Sequence, residues 1–191
     1  NRVLGPYMME AMLAAEEGIP LAMIDKAALD FGMPMGPIEL VDTVGLDVAY
    51  NVGQILSEAF GVPVPDTLKK LVGEKQLGKK TGKGFYEYKD DKAQKPPIGD
   101  AAMPEDLPDR LVMAMVNESV ACMREQVVSD GDMVDAGVIF GTGFAPFRGG
   151  PINYARARSV TAIRERLAEL ETRHGDRFKA DAGWDQPELW T

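Results

Sequence analysis

Gly32-Met33-Pro34-Met35-Gly36-Pro37-Ile38-Glu39-Leu40-Val41-Asp42 packs glycine and proline densely beside helical runs, and Gly78-Lys79-Lys80-Thr81-Gly82-Lys83-Gly84-Phe85-Tyr86 does so again further along. Neither helical nor strand periodicity requires such a cluster. Glycine permits left-handed backbone and close approach of other atoms, and proline is favoured at the first position of a helix. The two stretches therefore indicate places where one backbone path is fixed, at a helix end or beside a substrate.

Composition narrows the class of protein. The chain has 191 residues, of which 45% are apolar, enough for a globular core. No apolar run reaches the roughly 18 residues that a membrane span needs, and no signal peptide is visible. A net charge of −9 argues against nucleic acid as a partner. The only cysteine, Cys122, cannot form an internal disulfide, which favours a cytoplasmic location.

The chain also resembles itself, at a spacing that grows from 108 to 114 residues. The order of features is the same in both copies, and the growing spacing indicates a longer loop in the second. The matched segments are Asn1-Arg2-Val3-Leu4 with Asp109-Arg110-Leu111-Val112, Met23-Ile24-Asp25 with Met133-Val134-Asp135, and Gly36-Pro37-Ile38 with Gly150-Pro151-Ile152.

Helical periodicity dominates both copies, so the predicted fold class is all-α. Residues 1–88 form one small helical unit, 89–108 a linker with four prolines, and 109–191 a second, degenerate unit. Phe85 to Tyr88 alternates like a strand but is too short to found a sheet. One predicted helix runs from Leu21 to Phe31 and ends at Gly32. Others begin at Gly36-Pro37 and at a cap at Asp47, or run from Asp66 to about Val72 and from Val160 to about Arg173. Trp184 and Trp190 are expected to pack against the rest of the chain, because exposing them to water is costly.

Several kinds of catalytic chemistry are absent from the sequence. No Gly-x-Gly-x-x-Gly follows a strand, so no dinucleotide-binding domain is present. The lone histidine, His174, is interpreted as an ordinary surface histidine without an orienting partner. No His/Cys/carboxylate cluster has metal-ligand spacing. We therefore expect this chain to be inactive by itself.

The two glycine-rich stretches, with the opening Asn1-Arg2-Val3-Leu4, resemble the C-terminal domain of the L-3-hydroxyacyl-CoA dehydrogenase family. The resemblance implies helical units like the C-terminal domain of 6-phosphogluconate dehydrogenase, preceded in such enzymes by a Rossmann domain that holds NAD and a His–Glu pair. Two tandem units resemble the long, multifunctional members, the α subunits of bacterial fatty-acid oxidation complexes. Those carry an enoyl-CoA hydratase domain and associate with a thiolase β subunit.

The implied function is that of the substrate-binding C-terminal portion of an NAD-dependent enzyme that oxidises L-3-hydroxyacyl-CoA to 3-ketoacyl-CoA in fatty-acid β-oxidation. By this resemblance Asn1 orients the substrate near the reacting carbonyl, Lys80 approaches the cofactor and Tyr154 contacts the acyl-CoA. Asp109 stands where Asn1 stands in the first copy, which suggests a catalytically degenerate second unit.

Plainer interpretations stay open for each of these residues. Asn1 would serve well as a helix cap and Tyr154 as an amphipathic residue at a core edge. The basic cluster around Lys80 is either a solvated surface or a landing site for cofactor phosphates; its members are Lys69, Lys70, Lys75, Lys79, Lys80 and Lys83.

Two other functions for the chain also remain open. One is a non-catalytic helical repeat module for protein association, and the other is a dehydrogenase domain for a different acid, such as a sugar acid. We further expect the chain to be monomeric, because the second unit would cover the face that a dimer partner covers in the short enzymes.

Overall fold

A computed structural model describes residues 2–60 and 63–190. Its described residues form α-helices, short 3₁₀ turns and one two-stranded hairpin, which confirms the all-α prediction. No helix in these residues is both long and apolar enough to cross a membrane. The elements are α1 (Leu4–Glu16), α2 (Leu21–Phe31), α3 (Pro37–Val44), α4 (Leu46–Phe60), α5 (Asp66–Gly73), β1 (Glu87–Lys89), β2 (Lys92–Gln94), α6 (Leu107–Arg124), α7 (Gly131–Thr142), α8 (Pro151–Arg158) and α9 (Val160–His174).

The helix ends follow the glycines and prolines that the sequence supplies. Helix α2 ends where predicted, because Gly32 adopts φ 113° and ψ 13°, the left-handed conformation that closes a helix. Helix α3 begins at Pro37, as predicted. The cap predicted at Asp47 is wrong, since α4 already begins at Leu46 and Asp47 lies in its first turn.

The hairpin corrects two expectations. Strand β1 pairs antiparallel with β2 through a turn at Asp90 and Asp91, whose φ angles are 51° and 62°. Aspartate tolerates this left-handed conformation, so a two-residue hairpin forms where only an isolated extended segment was predicted. The linker predicted over 89–108 therefore contains β2, and its last two residues already belong to α6. It is also anchored, because Lys95 Nζ lies 2.8 Å from Asp25 and 2.7 Å from Glu39.

Each copy caps its third helix in the same way, which supports the internal repeat. Asp25 Oδ1 accepts a hydrogen bond from the backbone N–H of Ile38 at 2.8 Å, and Asp135 Oδ1 accepts one from Ile152 at 2.7 Å. A Cβ on the glycine before each proline would lie 2.2 Å from Asp25 at Gly36 and 2.4 Å from Asp135 at Gly150. Glycine is required there because the capping carboxylate fills the space.

The two copies pack against each other with approximate two-fold symmetry. Antiparallel helices α1 and α6 form the seam, and equivalent arginines reach across it to equivalent glutamates. In a two-fold interface, residue i of one copy contacts residue j of the other and the reverse contact also occurs. The reciprocal pairs are Arg2 with Glu118 and Glu125, and Arg110 with Glu10 and Glu17.

One apolar core spans both copies, joining α1 and α2 to α6, α7, α8 and α9. The C-terminal segment closes it: Trp184 is buried, stacks on Trp190 with ring centroids 4.8 Å apart, and donates from Nε1 to Asn117 at 2.8 Å. The predicted docking of these tryptophans is confirmed.

Candidate functional site

The second glycine-rich stretch wraps around one buried carboxylate. Asp42, in α3, accepts hydrogen bonds from the backbone N–H groups of Phe85 and Tyr86, both at 2.9 Å, and from the Tyr88 hydroxyl at 3.2 Å. Burial raises the pKa of Asp42 even though these bonds favour its ionised form. A Cβ on Gly78 or Gly84 would come within 2.2 Å and 2.1 Å of Asp42 atoms. Gly78 and Gly84 therefore allow the loop to close over Asp42.

Closing the loop positions Lys80. It lies in the 3₁₀ turn Lys79–Thr81, and its Nζ pairs with Asp47 at the start of α4. This hydrogen bond lowers the pKa of Asp47. Both side chains remain partly exposed, at 46% and 40%, so the Lys80 amine lies at the surface beside the α3–α4 junction. The Asp47 partner was not foreseen in the sequence.

Other members of the basic cluster behave as a solvated surface. Lys69 pairs with Asp66, Lys79 lies near Asp91, and Lys83 lies near Glu87, all as exposed ion pairs. Exposed pairs of this kind contribute little stability. Their geometry gives no sign of a preformed phosphate site.

Asn1, the predicted substrate-orienting residue, lies outside the described residues. Its equivalent in the second copy is Asp109, whose carboxylate binds the guanidinium groups of Arg158 and Arg166. Burial opposes ionisation of Asp109, but the hydrogen bonds and charges of the two arginines outweigh it and lower the pKa. Asp109 is thus engaged in ion pairs within the second copy, and the degeneracy of this unit stays a prediction.

The corresponding surface of the first copy is apolar. Val44 of the first copy stands where Arg158 stands in the second. Val44 is 42% exposed, and the nearby Val48 is 45% exposed. The first copy therefore leaves an open apolar surface at the α3–α4 junction, beside Lys80, where the second copy carries an ion cluster.

Tyr154, in α8 of the second copy, lies where this copy packs against Phe31 of the first. Its ring packs edge-on against Phe31 and Phe144, with centroids 5.3 Å and 6.4 Å away, and its hydroxyl accepts a hydrogen bond from Arg158 at 3.0 Å. The ring thus forms part of the core edge while the residue lines an open groove of ≈ 740 Å³. The groove is lined by Pro146, Phe147, Arg148, Gly149, Asn153, Tyr154, Ala157 and Arg158.

Lys80 and Tyr154 are not brought into contact. In the part of the chain that the structure describes, they share no hydrogen-bond partner, and each belongs to a separate surface. Residues 2–60 and 63–190 contain no group of three or more His, Cys, Asp or Glu side chains that could hold a metal ion.

His174 is not the ordinary surface histidine that was predicted. Its Nε2 lies 2.9 Å from Asp106 Oδ2, and the side chain is only 15% exposed. The pair joins the end of α9 to the start of α6. Burial alone would raise the pKa of Asp106, but the hydrogen bond with His174 outweighs it and the pKa is lowered. The partner is 68 residues away in sequence, so no local pattern could indicate it.

The sequence profile described as "3-hydroxyacyl-CoA dehydrogenase, C-terminal domain" matches residues 1–88. Residues 1–88 belong to this family. Across 93% of the chain, the sequence is 35% identical to the fatty acid oxidation complex subunit alpha of Idiomarina loihiensis and 38% identical to that of Vibrio campbellii. The chain spans 27% of the length of each of these relatives.

Two solved structures of dehydrogenases share the fold of this chain. A 3-hydroxybutyryl-CoA dehydrogenase from Escherichia coli superposes with a TM-score of 0.76 at 22% identity, over 99% of this chain and 59% of that one. The dehydrogenase part of multifunctional enzyme 1 from C. elegans superposes with a TM-score of 0.62 at 17% identity, over 97% of this chain and 46% of that one. The arrangement of both helical copies therefore recurs in other proteins.

Proposed function

We propose that this chain is the substrate-binding C-terminal portion of an NAD-dependent L-3-hydroxyacyl-CoA dehydrogenase that acts in fatty-acid β-oxidation. The observation that carries the proposal is the likeness to fatty acid oxidation complex α subunits, which extends over both helical copies and not only over the matched domain. In this proposal a Rossmann domain supplies NAD and the proton-transferring pair.

In this proposal the first copy provides the contacts to the reacting end of the substrate and to the cofactor. The Asn1 amide would hold the substrate oxygen, because an amide offers donors and an acceptor without a charge that would perturb a neighbouring acid–base pair. NAD would supply the hydride acceptor. Lys80, whose amine is already at the surface, would approach the cofactor by exchanging its Asp47 partner for a phosphate or ribose oxygen.

Tyr154 would contact the acyl-CoA from the second copy. Its hydroxyl is fixed by Arg158, and its ring is held by Phe31 and Phe144, so the residue is positioned before any ligand arrives. Holding a contact residue in place lowers the entropy lost on binding. The only histidine of the chain is engaged with Asp106, and we therefore expect no turnover without a partner domain.

The test is steady-state kinetics of the full-length protein, following NADH oxidation with acetoacetyl-CoA. Asn1→Ala should lower kcat by at least tenfold, Tyr154→Phe should raise KM for the thioester, and Lys80→Ala should raise KM for NADH. Lys83→Ala, in an exposed pair with Glu87, serves as the matched control and should change nothing. Absence of dehydrogenase activity in the unmodified protein would refute the proposal and favour a module for protein association.

Partners follow from the same proposal. We expect the chain to work beside hydratase and Rossmann domains, with a thiolase β subunit, in the cytoplasm. The approximate two-fold seam supports a monomeric chain, because the second copy already occupies the position of a symmetric partner. Light scattering that gives twice the mass of one chain would contradict this expectation.

A further inference from the structure

Arg148 is a half-buried cation held among aromatic rings from both copies. Its Cζ lies 4.1 Å from the ring centroid of Phe31, 5.2 Å from that of Phe147 and 5.6 Å from that of Tyr154. Its Nε donates to the backbone carbonyl of Phe31 at 2.9 Å. The stack and this bond fix the guanidinium plane.

The rest of the guanidinium is unsatisfied by protein. Within residues 2–60 and 63–190, no carboxylate pairs with Arg148, and its terminal nitrogens have no acceptor. The neighbouring arginines differ, because Arg158 and Arg166 both pair with Asp109 and Arg166 also pairs with Glu169. These nitrogens remain accessible to solvent in the open groove, so an incoming ligand can reach them. An anion placed on the open side of Arg148 would complete it.

The groove beside Arg148 suits a ligand that is both anionic and aromatic. It measures ≈ 740 Å³ and is bordered by the Phe147 ring, which is 74% exposed. The Asn153 side chain lies over Gly149, where any Cβ would come within 2.0 Å of its amide nitrogen. An exposed ring stacks on a base, a fixed guanidinium binds phosphate oxygens, and an amide supplies polar contacts.

We infer that this groove binds the adenosine diphosphate portion of the coenzyme A thioester, with Arg148 on the phosphates and Phe147 against the adenine. The inference rests on the proposed function, because it takes the thioester as substrate and Tyr154 as a wall of the same groove. Adenosine diphosphate is also part of NAD. The experiment must therefore separate the two sources.

The first test is calorimetric titration of the chain with coenzyme A, ADP and NAD⁺. Coenzyme A and ADP should bind, with an affinity that falls as salt rises. Phe147→Ala should weaken binding several-fold, and since this ring is largely exposed the variant should fold normally. Arg148→Met should weaken binding at least tenfold. The control is Arg164→Met, which removes an arginine whose partner is only the exposed Asp185, and its affinity should not change.

Two calorimetric outcomes would overturn the inference. Unchanged coenzyme A affinity in Phe147→Ala and Arg148→Met would show that the groove is not the site. Tighter binding of NAD⁺ than of coenzyme A would assign the groove to the dinucleotide instead. Thermal denaturation of each variant separates lost binding from lost folding, and Phe147→Ala keeps the test valid if Arg148→Met is unstable.

A kinetic test separates this inference from the proposed function. In the full-length protein, Phe147→Ala should raise KM for acetoacetyl-CoA several-fold but leave KM for acetoacetyl N-acetylcysteamine unchanged, because that thioester lacks the adenosine diphosphate portion. Equal effects on both substrates, or on neither, would overturn the inference while the measured turnover itself still supports the proposed function. If the unmodified protein turns over neither thioester, the proposed function fails, and the calorimetry alone decides on the groove.

Discussion

Ser159 and Gly45 occupy equivalent positions, between the third and fourth helices of each copy, and share one backbone conformation. Ser159 has φ 80° and ψ 125°, and Gly45 has φ 103° and ψ 129°. Glycine adopts this region freely, whereas a residue with a Cβ is strained there by about 1–3 kcal/mol. The second copy therefore carries a local strain that the first copy avoids.

Ser159→Gly should raise the free energy of unfolding by about 1 kcal/mol, because relief of strain exceeds the added flexibility of the unfolded chain. The Ser159 side chain is exposed, so its removal leaves no cavity. Urea unfolding at neutral pH measures the change. The reciprocal variant Gly45→Ser should destabilise, and a lower urea midpoint for Ser159→Gly would contradict the argument.

Tyr7 has a buried hydroxyl with no hydrogen-bond partner among the described residues. Burial, and then the charge of Asp25, raise its pKa, so it stays protonated. Its equivalent in the second copy, Met115, is fully buried without any polar group. Nothing in the packing therefore uses the Tyr7 oxygen.

Tyr7→Phe should be neutral or stabilising by up to about 1 kcal/mol, since it removes an unsatisfied polar atom. The matched control is Tyr86→Phe, which removes a buried hydroxyl that donates to Asp25 at 3.0 Å. That variant should cost about 1–2 kcal/mol. Thermal unfolding of the two variants side by side would test the contrast, and equal losses would disprove it.

At the scale of elements, Asp42 joins α3 to the loop that presents Lys80. One carboxylate oxygen accepts from Phe85 and the other from Tyr86 and Tyr88. An amide has only one acceptor oxygen, so Asp42→Asn must leave a backbone N–H facing an NH₂ group.

Asp42→Asn should destabilise the protein by about 1–3 kcal/mol, the cost of a buried donor left unpaired. The loss should be local first, so amide hydrogen exchange should accelerate at Phe85 and Tyr86 more than in α6. Exchange that changes uniformly along the chain would show instead that the loop is not an independently opening element. Exposed Asp66→Asn is the control and should have little effect.

The same elements show how far the sequence determines the fold. Gly32, Pro37 and Asp66 mark helix ends through local backbone chemistry, so these ends were predictable. The repeat was predictable too, because Asp25 and Asp135 stand at matching places. The partners of Asp42 and His174 were not predictable, because these contacts join residues 43 to 68 positions apart. Arg148 was missed for the same reason, as the Phe31 ring and carbonyl that hold it lie 117 positions away.

At the scale of the whole molecule, the two equivalent ion pairs of the symmetric seam differ in how far they are exposed to solvent. The Arg110–Glu10 pair is 2% exposed at both side chains, and Glu10 is also bound by Arg177 at 2.6 Å. The equivalent Arg2–Glu118 pair is 36% and 11% exposed. Two pairs related by the repeat thus lie at very different depths.

Because depth decides what an ion pair contributes, the two arginines should differ in their effect on stability. Arg110→Met leaves Glu10 buried with only Arg177 to balance it and should cost about 3 kcal/mol. Arg2 is itself 36% exposed and Glu118 is 11% exposed, so Arg2→Met should cost less, about 1–2 kcal/mol. Urea unfolding of both variants at one pH and salt concentration gives the comparison directly. Similar losses would mean that the seam is symmetric in energy as well as in geometry, and that burial does not set the strength of its ion pairs.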